Sequence, residues 1–301
     1  MPNPIEYIEK RRRELNAVIL AHYYQRPEIQ DIADFVGDSL QLAREASRTD
    51  ASVIVFCGVS FMGETAKIVN PDKLVLLPEP EAGCPMADMI TAEKLRNWKA
   101  SYPGSTVVCY VNSSAEVKAE SDICCTSSNA LKVVESISAD SQILFVPDQN
   151  LGDFVAKKTG RNMIMWKGFC PTHHHVKPED LLEQKRRHPN APVIVHPECR
   201  PEVVAVADEA LSTGGIVKYV NDSNASEFII GTEEGLLHHL RNSHPEKKFY
   251  LARDEFLCPN MKLTNLDKLV WAMETLEPAV EVPEDIRIKA YHAVERMLQI
   301  G

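Results

Sequence analysis

No stretch of this 301-residue chain approaches 18 uninterrupted apolar residues, so no membrane-spanning helix is expected. The opening MPNPIEYIEKRRREL lacks the apolar core of a secretory signal and reads as a charged surface helix. An excess of positive charge is also missing. The formal net charge is −10, the reverse of the basic footprint that nucleic-acid binding requires. The short runs Arg11–Arg13 and Lys185–Arg187 read as solvated helix faces. What remains is an ordinary globular composition, 44% hydrophobic and 25% charged. Eight cysteines without a signal sequence point to a reducing, cytoplasmic setting, with thiols used for metal binding or packing rather than for disulfides.

Three of those cysteines precede proline: Cys84-Pro85, Cys170-Pro171 and Cys258-Pro259, at intervals of 86 and 88 residues. Chance pairing of eight cysteines with nineteen prolines does not supply three at one period. A fixed long period means a repeated structural unit. The same register holds elsewhere. Strand-like runs end at His22, Tyr110 and His196, and two residues on come Tyr24, Asn112 and Glu198. Farther along come Asp34, Asp122 and Asp208, then Ser39, Ser127 and Thr213. Helical openings recur at Pro4, Thr91, Pro178 and Thr264.

The repeat predicts three small units sharing a core, since small units gain stability that way. They are 1–90, with the helices of 264–301 packed on it, then 91–177 and 178–263. In the first, a helix Pro4–Leu15 leads to the strand Val18–Ala21, and a helical stretch runs from Pro27 to Phe35. Ser39 caps a second helix, and Val53–Phe56 and Leu74–Leu77 are further strands. The β-branched apolar runs suit a parallel sheet covered on both faces. The fold class is therefore α/β: three pseudo-threefold-related αβα sandwiches, each with a three-stranded, mainly parallel sheet, around a central site.

Ligands of parallel α/β sheets bind beyond the carboxyl ends of the strands. His22, Tyr110 and His196 stand there, with Tyr24, Asn112 and Glu198 just after them. Ser39, Ser127 and Thr213 stand at helix starts, where free N–H groups and the dipole favour carboxylate or phosphate. Each could instead be a plain helix cap. Three thiolates on one axis make a metal or cluster site with one position left over. Zinc would take a fourth ligand, for which His173, His174 and His175 are at hand, or a water. A [4Fe-4S] cluster held by only three thiolates would keep one iron open. Cys57 and Cys109 read as core, whereas Cys124-Cys125 lies near the proposed site.

The segments HYYQRPEIQDIADFVGDSLQLAR (22–44), CPMAD (84–88), YVNSSAEVKAESDICCTSSNA (110–130), PDQNLG (147–152) and CPTH (170–173) resemble the signatures of quinolinate synthase. So do HPEC (196–199), STGG (212–215), GTEEGLLH (231–238) and CPNMK (258–262). The resemblance runs through essentially the whole chain, in order. It implies three αβα domains about a pseudo-threefold axis carrying one [4Fe-4S] cluster. It also implies a transferase that condenses iminoaspartate with dihydroxyacetone phosphate, giving quinolinate, phosphate and water for NAD biosynthesis. By position, the resemblance makes Cys84, Cys170 and Cys258 the cluster ligands. His22, Ser39, Tyr110, Asn112, Ser127, His173, His196, Glu198 and Thr213 would line the substrate site, with Tyr24 implicated in catalysis. Tyr23 stands where asparagine is common in the family.

On this reading both substrates are anionic, and the three helix starts suit them. Glu198 is the preferred general base, with His196 orienting substrate or sharing the proton, while Tyr24 and Tyr110 exchange protons at enol oxygens. The open iron would act as a Lewis acid. The partners implied are the two small-molecule substrates and the enzyme that supplies iminoaspartate, with neither nucleic acid nor membrane. The alternatives are another [4Fe-4S] dehydratase-type enzyme with an open iron, a three-cysteine zinc enzyme, and a non-catalytic iron–sulfur sensor or carrier. The sensor would lack the acid–base residues around an anion pocket.

Overall fold

Apolar, largely β-branched runs form the middle of each sheet, as strands covered on both faces require. In the computed structural model, which describes residues 3–300, the first segment contributes β1 (Ala17–His22), β2 (Phe35–Gly37), β3 (Val53–Cys57) and β4 (Leu74–Leu76). The second contributes β5 (Thr106–Tyr110), β6 (Ile123–Cys125), β7 (Ile143–Val146) and β8 (Met163–Met165). The third contributes β9 (Val193–Val195), β10 (Glu209–Ala210), β11 (Glu227–Gly231) and β12 (Lys248–Leu251). The strand orders are β2-β1-β3-β4, β6-β5-β7-β8 and β10-β9-β11-β12, one topology three times. Every strand pair is parallel, and helices flank the sheets, so the class is α/β with three αβα layers. Phe56, Phe145 and Phe228, one in each of β3, β7 and β11, are buried. Each stabilises its layer by about 1.5–3 kcal/mol.

Each sheet has four strands, where the sequence pattern predicts three. The additional strands β2, β6 and β10 are only two or three residues long, too short to show a period. A repeated aspartate docks each one. The Asp34 carboxylate accepts the Ile19 N–H at 2.8 Å, Asp122 that of Val107 at 2.7 Å, and Asp208 that of Val193 at 2.7 Å. In return each aspartate's own N–H reaches the same residue's carbonyl. The helix expected over Pro27–Phe35 accordingly stops at Gln30, and Phe35 begins β2.

Two helices close the chain. Leu266–Thr275 lies against Pro4–Glu14 of the first segment. The contacts of Glu284–Gln299 extend beyond that segment. It packs on Ala115–Ala119 and β6 of the second as well as on Ser60–Val69 and Ser39–Arg48 of the first. Its buried face is Ala290, Ala293, Val294 and Met297, a helical i, i+3, i+4, i+7 stripe. Asn129 of the second segment donates to the Met297 and Ile300 carbonyls at 3.1 and 2.9 Å. The final helix therefore bridges two layers. No helix among the described residues is long and apolar enough to cross a membrane.

Candidate active site

The parallel strands direct their carboxyl ends to one place. β1 ends at His22 and β5 at Tyr110, while His196 directly follows β9. His22 and His196 share a local geometry. Each Nδ1 accepts the N–H two residues on, from Tyr24 at 3.1 Å and from Glu198 at 3.3 Å, which leaves the proton on Nε2 of each neutral ring. Burial lowers both imidazoles to about 3, with His196 adding to the effect on His22 and His173 to that on His196. Both rings are therefore neutral near pH 7. The Nε2 of His196 lies 3.1 Å from the Ser127 hydroxyl.

The helix-start hydroxyls are not caps. For Ser39–Arg48 the cap is Asp38, whose Oδ1 accepts from Leu40 N and Gln41 N at 3.1 and 2.9 Å. For Thr213–Asp222 it is Ser212, whose Oγ accepts from Gly215 N at 3.1 Å. Ser39 and Thr213 occupy the next position, and Ser127 precedes Asn129, the cap residue of Ala130–Glu135. The expectation that Ser39 itself caps its helix is thus corrected by one residue. The preceding side chain already serves the helix, and the hydroxyl is released toward the cavity.

That cavity, of about 140 Å³, is walled by all thirteen residues singled out from the sequence. They are His22, Tyr24, Ser39, Cys84, Tyr110, Asn112, Ser127, Cys170, His173, His196, Glu198, Thr213 and Cys258. No lysine or arginine joins them among the described residues. An anion here would be met by hydroxyls, neutral imidazoles, backbone N–H groups and any bound metal. Asp38 ties the three layers together at this wall. Its Oδ2 accepts from Ser128 Oγ at 2.6 Å and from Gly214 N at 3.3 Å. A Cβ at residue 214 would lie 2.6 Å from that oxygen, so this approach requires glycine.

A chain of close polar contacts crosses the cavity wall. The Tyr110 hydroxyl donates to Glu198 Oε1 at 2.5 Å, and His173 Nδ1 lies 2.8 Å from Glu198 Oε2 and 3.3 Å from Cys170 Sγ. On the other side of that ring, His173 Nε2 meets Thr232 Oγ1 at 2.8 Å. Thr232 Oγ1 lies 2.6 Å from the Tyr24 hydroxyl, itself 2.9 Å from Thr213 Oγ1. Burial opposes the Glu198 charge. The neighbouring imidazoles of His196 and His173 and the hydrogen bonds from His173 and Tyr110 outweigh it and hold the carboxyl well below the usual range. Burial and the Glu198 charge together raise both tyrosines, Tyr24 and Tyr110. Thr232 is the link that the repeat pattern does not indicate. Thr232→Val keeps its shape and leaves His173 Nε2 and the Tyr24 hydroxyl without their shared partner. It is expected to lower kcat by about 10–10²-fold with little change in KM. Steady-state kinetics check this, and an unchanged kcat would exclude Thr232 from the relay.

Cys84, Cys170 and Cys258 line the same cavity, and all eight cysteines are free thiols. Burial pushes the Cys84 thiol up to about 12, with Glu198 and Cys258 adding to the rise. Cys170 is raised by burial, Glu198 and its two companion cysteines. Cys258 is raised by burial and Glu233. Three sulfurs close enough to oppose one another's ionisation suit a bound cation, which would hold them as thiolates. Cys170 Sγ, a His173 nitrogen and a Glu198 oxygen also lie within 4.8 Å of one another, a group able to hold a metal ion. However, both His173 nitrogens are already engaged, Nδ1 by Glu198 and Cys170 Sγ and Nε2 by Thr232. His174 turns instead to Asn150 at 3.2 Å, and His175 is exposed. The donor set thus fits a three-sulfur centre better than a zinc site completed by this histidine run.

Residues 6–299 match the family model described as quinolinate synthetase A protein. The chain belongs to the quinolinate synthase family. It is 57% identical over 293 residues to the quinolinate synthase of Dehalococcoides mccartyi, covering 97% of each chain. It is 55% identical over 296 residues to that of Methanosarcina barkeri, covering 98% of this chain and 97% of the other. For Thermodesulfovibrio yellowstonii the identity is 53% over 297 residues, with 98% of each chain covered. The chain is accordingly an enzyme, and the family activity is a step of NAD biosynthesis.

Several residues at this cavity fall outside those singled out from the repeat. Glu233 on the wall and Thr232 buried behind it follow β11, whereas the repeat was read at the ends of the first strands. Asp38 and Ser128 adjoin residues that the repeat does mark. Of the other cysteines, Cys57, Cys109 and Cys199 are buried in the sheets and loops. Cys124 and Cys125 are fully buried within β6 and do not reach the cavity wall.

Proposed function

We propose that this enzyme condenses iminoaspartate with dihydroxyacetone phosphate, releasing phosphate and water to form quinolinate in a cytoplasmic, de novo route to NAD. The observation that carries the reading is the chain Tyr110–Glu198–His173–Thr232–Tyr24, set in a wall of hydroxyls and neutral imidazoles. The reaction needs repeated proton transfers between carbon, nitrogen and oxygen while two anionic substrates are held still. Ser39, Ser127 and Thr213 would bind the carboxylate and phosphate oxygens, and the adjoining helix starts would supply further N–H donors. The three units 1–90 with 264–301, 91–177 and 178–263 would each bring one cysteine and one such hydroxyl to the axis.

A carboxylate as acidic as Glu198 is a weak base when it acts alone, because proton transfer is efficient when the pKa lies near the working pH. Acting through His173 it is better placed. The ion holds Nδ1–H, so Nε2 faces the hydroxyls of Thr232 and Tyr24 as a proton acceptor, the arrangement of an imidazole oriented by a carboxylate. Tyr24, kept protonated by burial, would give its proton to a developing enol or hydroxyl oxygen and recover one through Thr232. Tyr110 would do the same from the opposite oxygen of Glu198. His22 and His196, neutral with Nε2–H outward, would orient carboxylates without carrying charge.

Cys84, Cys170 and Cys258 would hold one [4Fe-4S] cluster. When bound, such a cluster supplies an open iron as a Lewis acid for a carboxylate or hydroxyl oxygen. The test is direct. Protein purified without oxygen, given dihydroxyacetone phosphate and iminoaspartate generated in place, is expected to form quinolinate, and to form none when either is omitted. Failure to form quinolinate with both present would overturn the substrate assignment.

A further inference from the structure

A buried ion pair beside the cavity has no place in the scheme above. Glu233 is fully buried. Its Oε1 accepts the backbone N–H of Cys258 at 3.1 Å, and its Oε2 accepts that of Gly235 at 2.7 Å. The Lys262 ammonium lies 2.9 and 3.1 Å from the two carboxylate oxygens. That ammonium also donates to the Tyr24 carbonyl at 2.6 Å. A buried carboxylate is costly unless paired and hydrogen-bonded, and here every lone pair in use goes to one of two loops. Of the three proposed metal-binding cysteines, only Cys258 has its N–H held by a carboxylate among the described residues.

The surroundings leave little play. A Cβ at residue 235 would lie 2.8 Å from Tyr24 Cα and 2.9 Å from Glu233 Oε2. Arg26 donates to the Lys262 carbonyl at 2.7 Å. Gln30 donates to the carbonyls of Tyr23 and Gly235, at 3.0 and 2.9 Å. Asn260, between Cys258 and Lys262, donates to the Gly83 carbonyl at 2.7 Å, next to Cys84. The cysteine loop of the third segment is thus attached to the catalytic strand end and to the cysteine loop of the first.

We propose that Glu233 and Lys262 are positioning residues: a buried clasp that sets the Cys258 loop and Tyr24 at a fixed separation. One end of the carboxylate holds the ligand loop, and the lysine carries that hold across to the backbone of Tyr24. The proposal rests on the reading of Cys258 as a metal ligand. Groups that support metal ligands in this way typically change affinity or activity by about 10–10²-fold when altered.

The test uses anaerobic holoenzyme and two readouts: loss of the 400-nm chromophore under an iron chelator, and kcat against KM. Lys262→Met frees Tyr24 and strands the Glu233 charge. It is expected to speed chelator-driven loss about tenfold or more and to lower kcat about tenfold or more, with KM little changed. Glu233→Gln/Lys262→Met carries no stranded charge, and its amide oxygen can still accept from Cys258 N, with its NH₂ then set against the Gly235 N–H. It is expected to recover much of the chelator resistance that the single variant loses while kcat stays low, and it decides the matter if the single variant does not fold. Parental kcat in the double variant, or parental chelator resistance and kcat in a folded Lys262→Met, would overturn the clasp. A parent without a chromophore, or Cys258→Ala retaining a full one, would instead remove the metal reading beneath it.

Discussion

Glu198→Gln is expected to assemble the metal centre, bind both substrates and lose about 10²-fold or more in quinolinate formation. The parent carboxylate accepts from Tyr110 on one oxygen and meets His173 Nδ1 on the other, at 2.5 and 2.8 Å. An amide of the same shape presents an oxygen to one neighbour and an NH₂ to the other. If its NH₂ faces His173, the ring must move its proton to Nε2, and the acceptor facing Thr232 and Tyr24 disappears. If its NH₂ faces Tyr110, the phenol loses its acceptor. Either orientation breaks the chain at one end, and the negative charge that adds to burial in raising both tyrosines is gone in both. Single-turnover measurement of quinolinate, with substrate binding followed separately, distinguishes this from lost affinity. Near-parental turnover at saturating substrate would place the proton acceptor elsewhere, with Tyr24 the next candidate.

The larger effect belongs to the sulfurs. Changing Cys84, Cys170 or Cys258 to alanine is expected to abolish the 400-nm chromophore after anaerobic reconstitution, and quinolinate formation with it. Two thiolates would leave the proposed cluster one ligand short beyond its open iron, and no other thiol lines the pocket among the described residues. Cys57→Ala is the contrast. Cys57 is fully buried in β3 and burial alone raises its thiol to about 12. Its loss is expected to cost on the order of 1–3 kcal/mol of packing and to leave the chromophore unchanged. A full chromophore in any one of the three site variants would remove that residue from the ligand set.

The fold was legible in the sequence because the chain states it three times. Runs such as Val53–Phe56 and Ile143–Val146 mark central strands by composition alone, and the 86- to 88-residue period aligns their ends. The two- and three-residue strands β2, β6 and β10 left no such mark. They exist because Asp34, Asp122 and Asp208 dock them, a repeat visible in the sequence whose meaning depends on geometry. The site shows the same division. The residues gathered at the cavity could be collected from strand ends, helix starts and Cys-Pro loops, since topology decides where those go. Neither Thr232 nor Asp38 could be placed that way. One joins His173 to Tyr24, and the other joins Ser128 to Gly214. Both connections run between segments about 50 or more residues apart, so no local pattern encodes them. The acidity of Glu198 was hidden for the same reason, because its partners Tyr110, His173 and His196 come from two different units.

Elemental analysis of protein purified without oxygen tests the central claim most directly, that three cysteines from three repeated units hold one iron–sulfur cluster at the shared axis. The account predicts about four irons and four acid-labile sulfides per chain, with no stoichiometric zinc. One zinc per chain, with neither iron nor sulfide, in protein that forms quinolinate would contradict it.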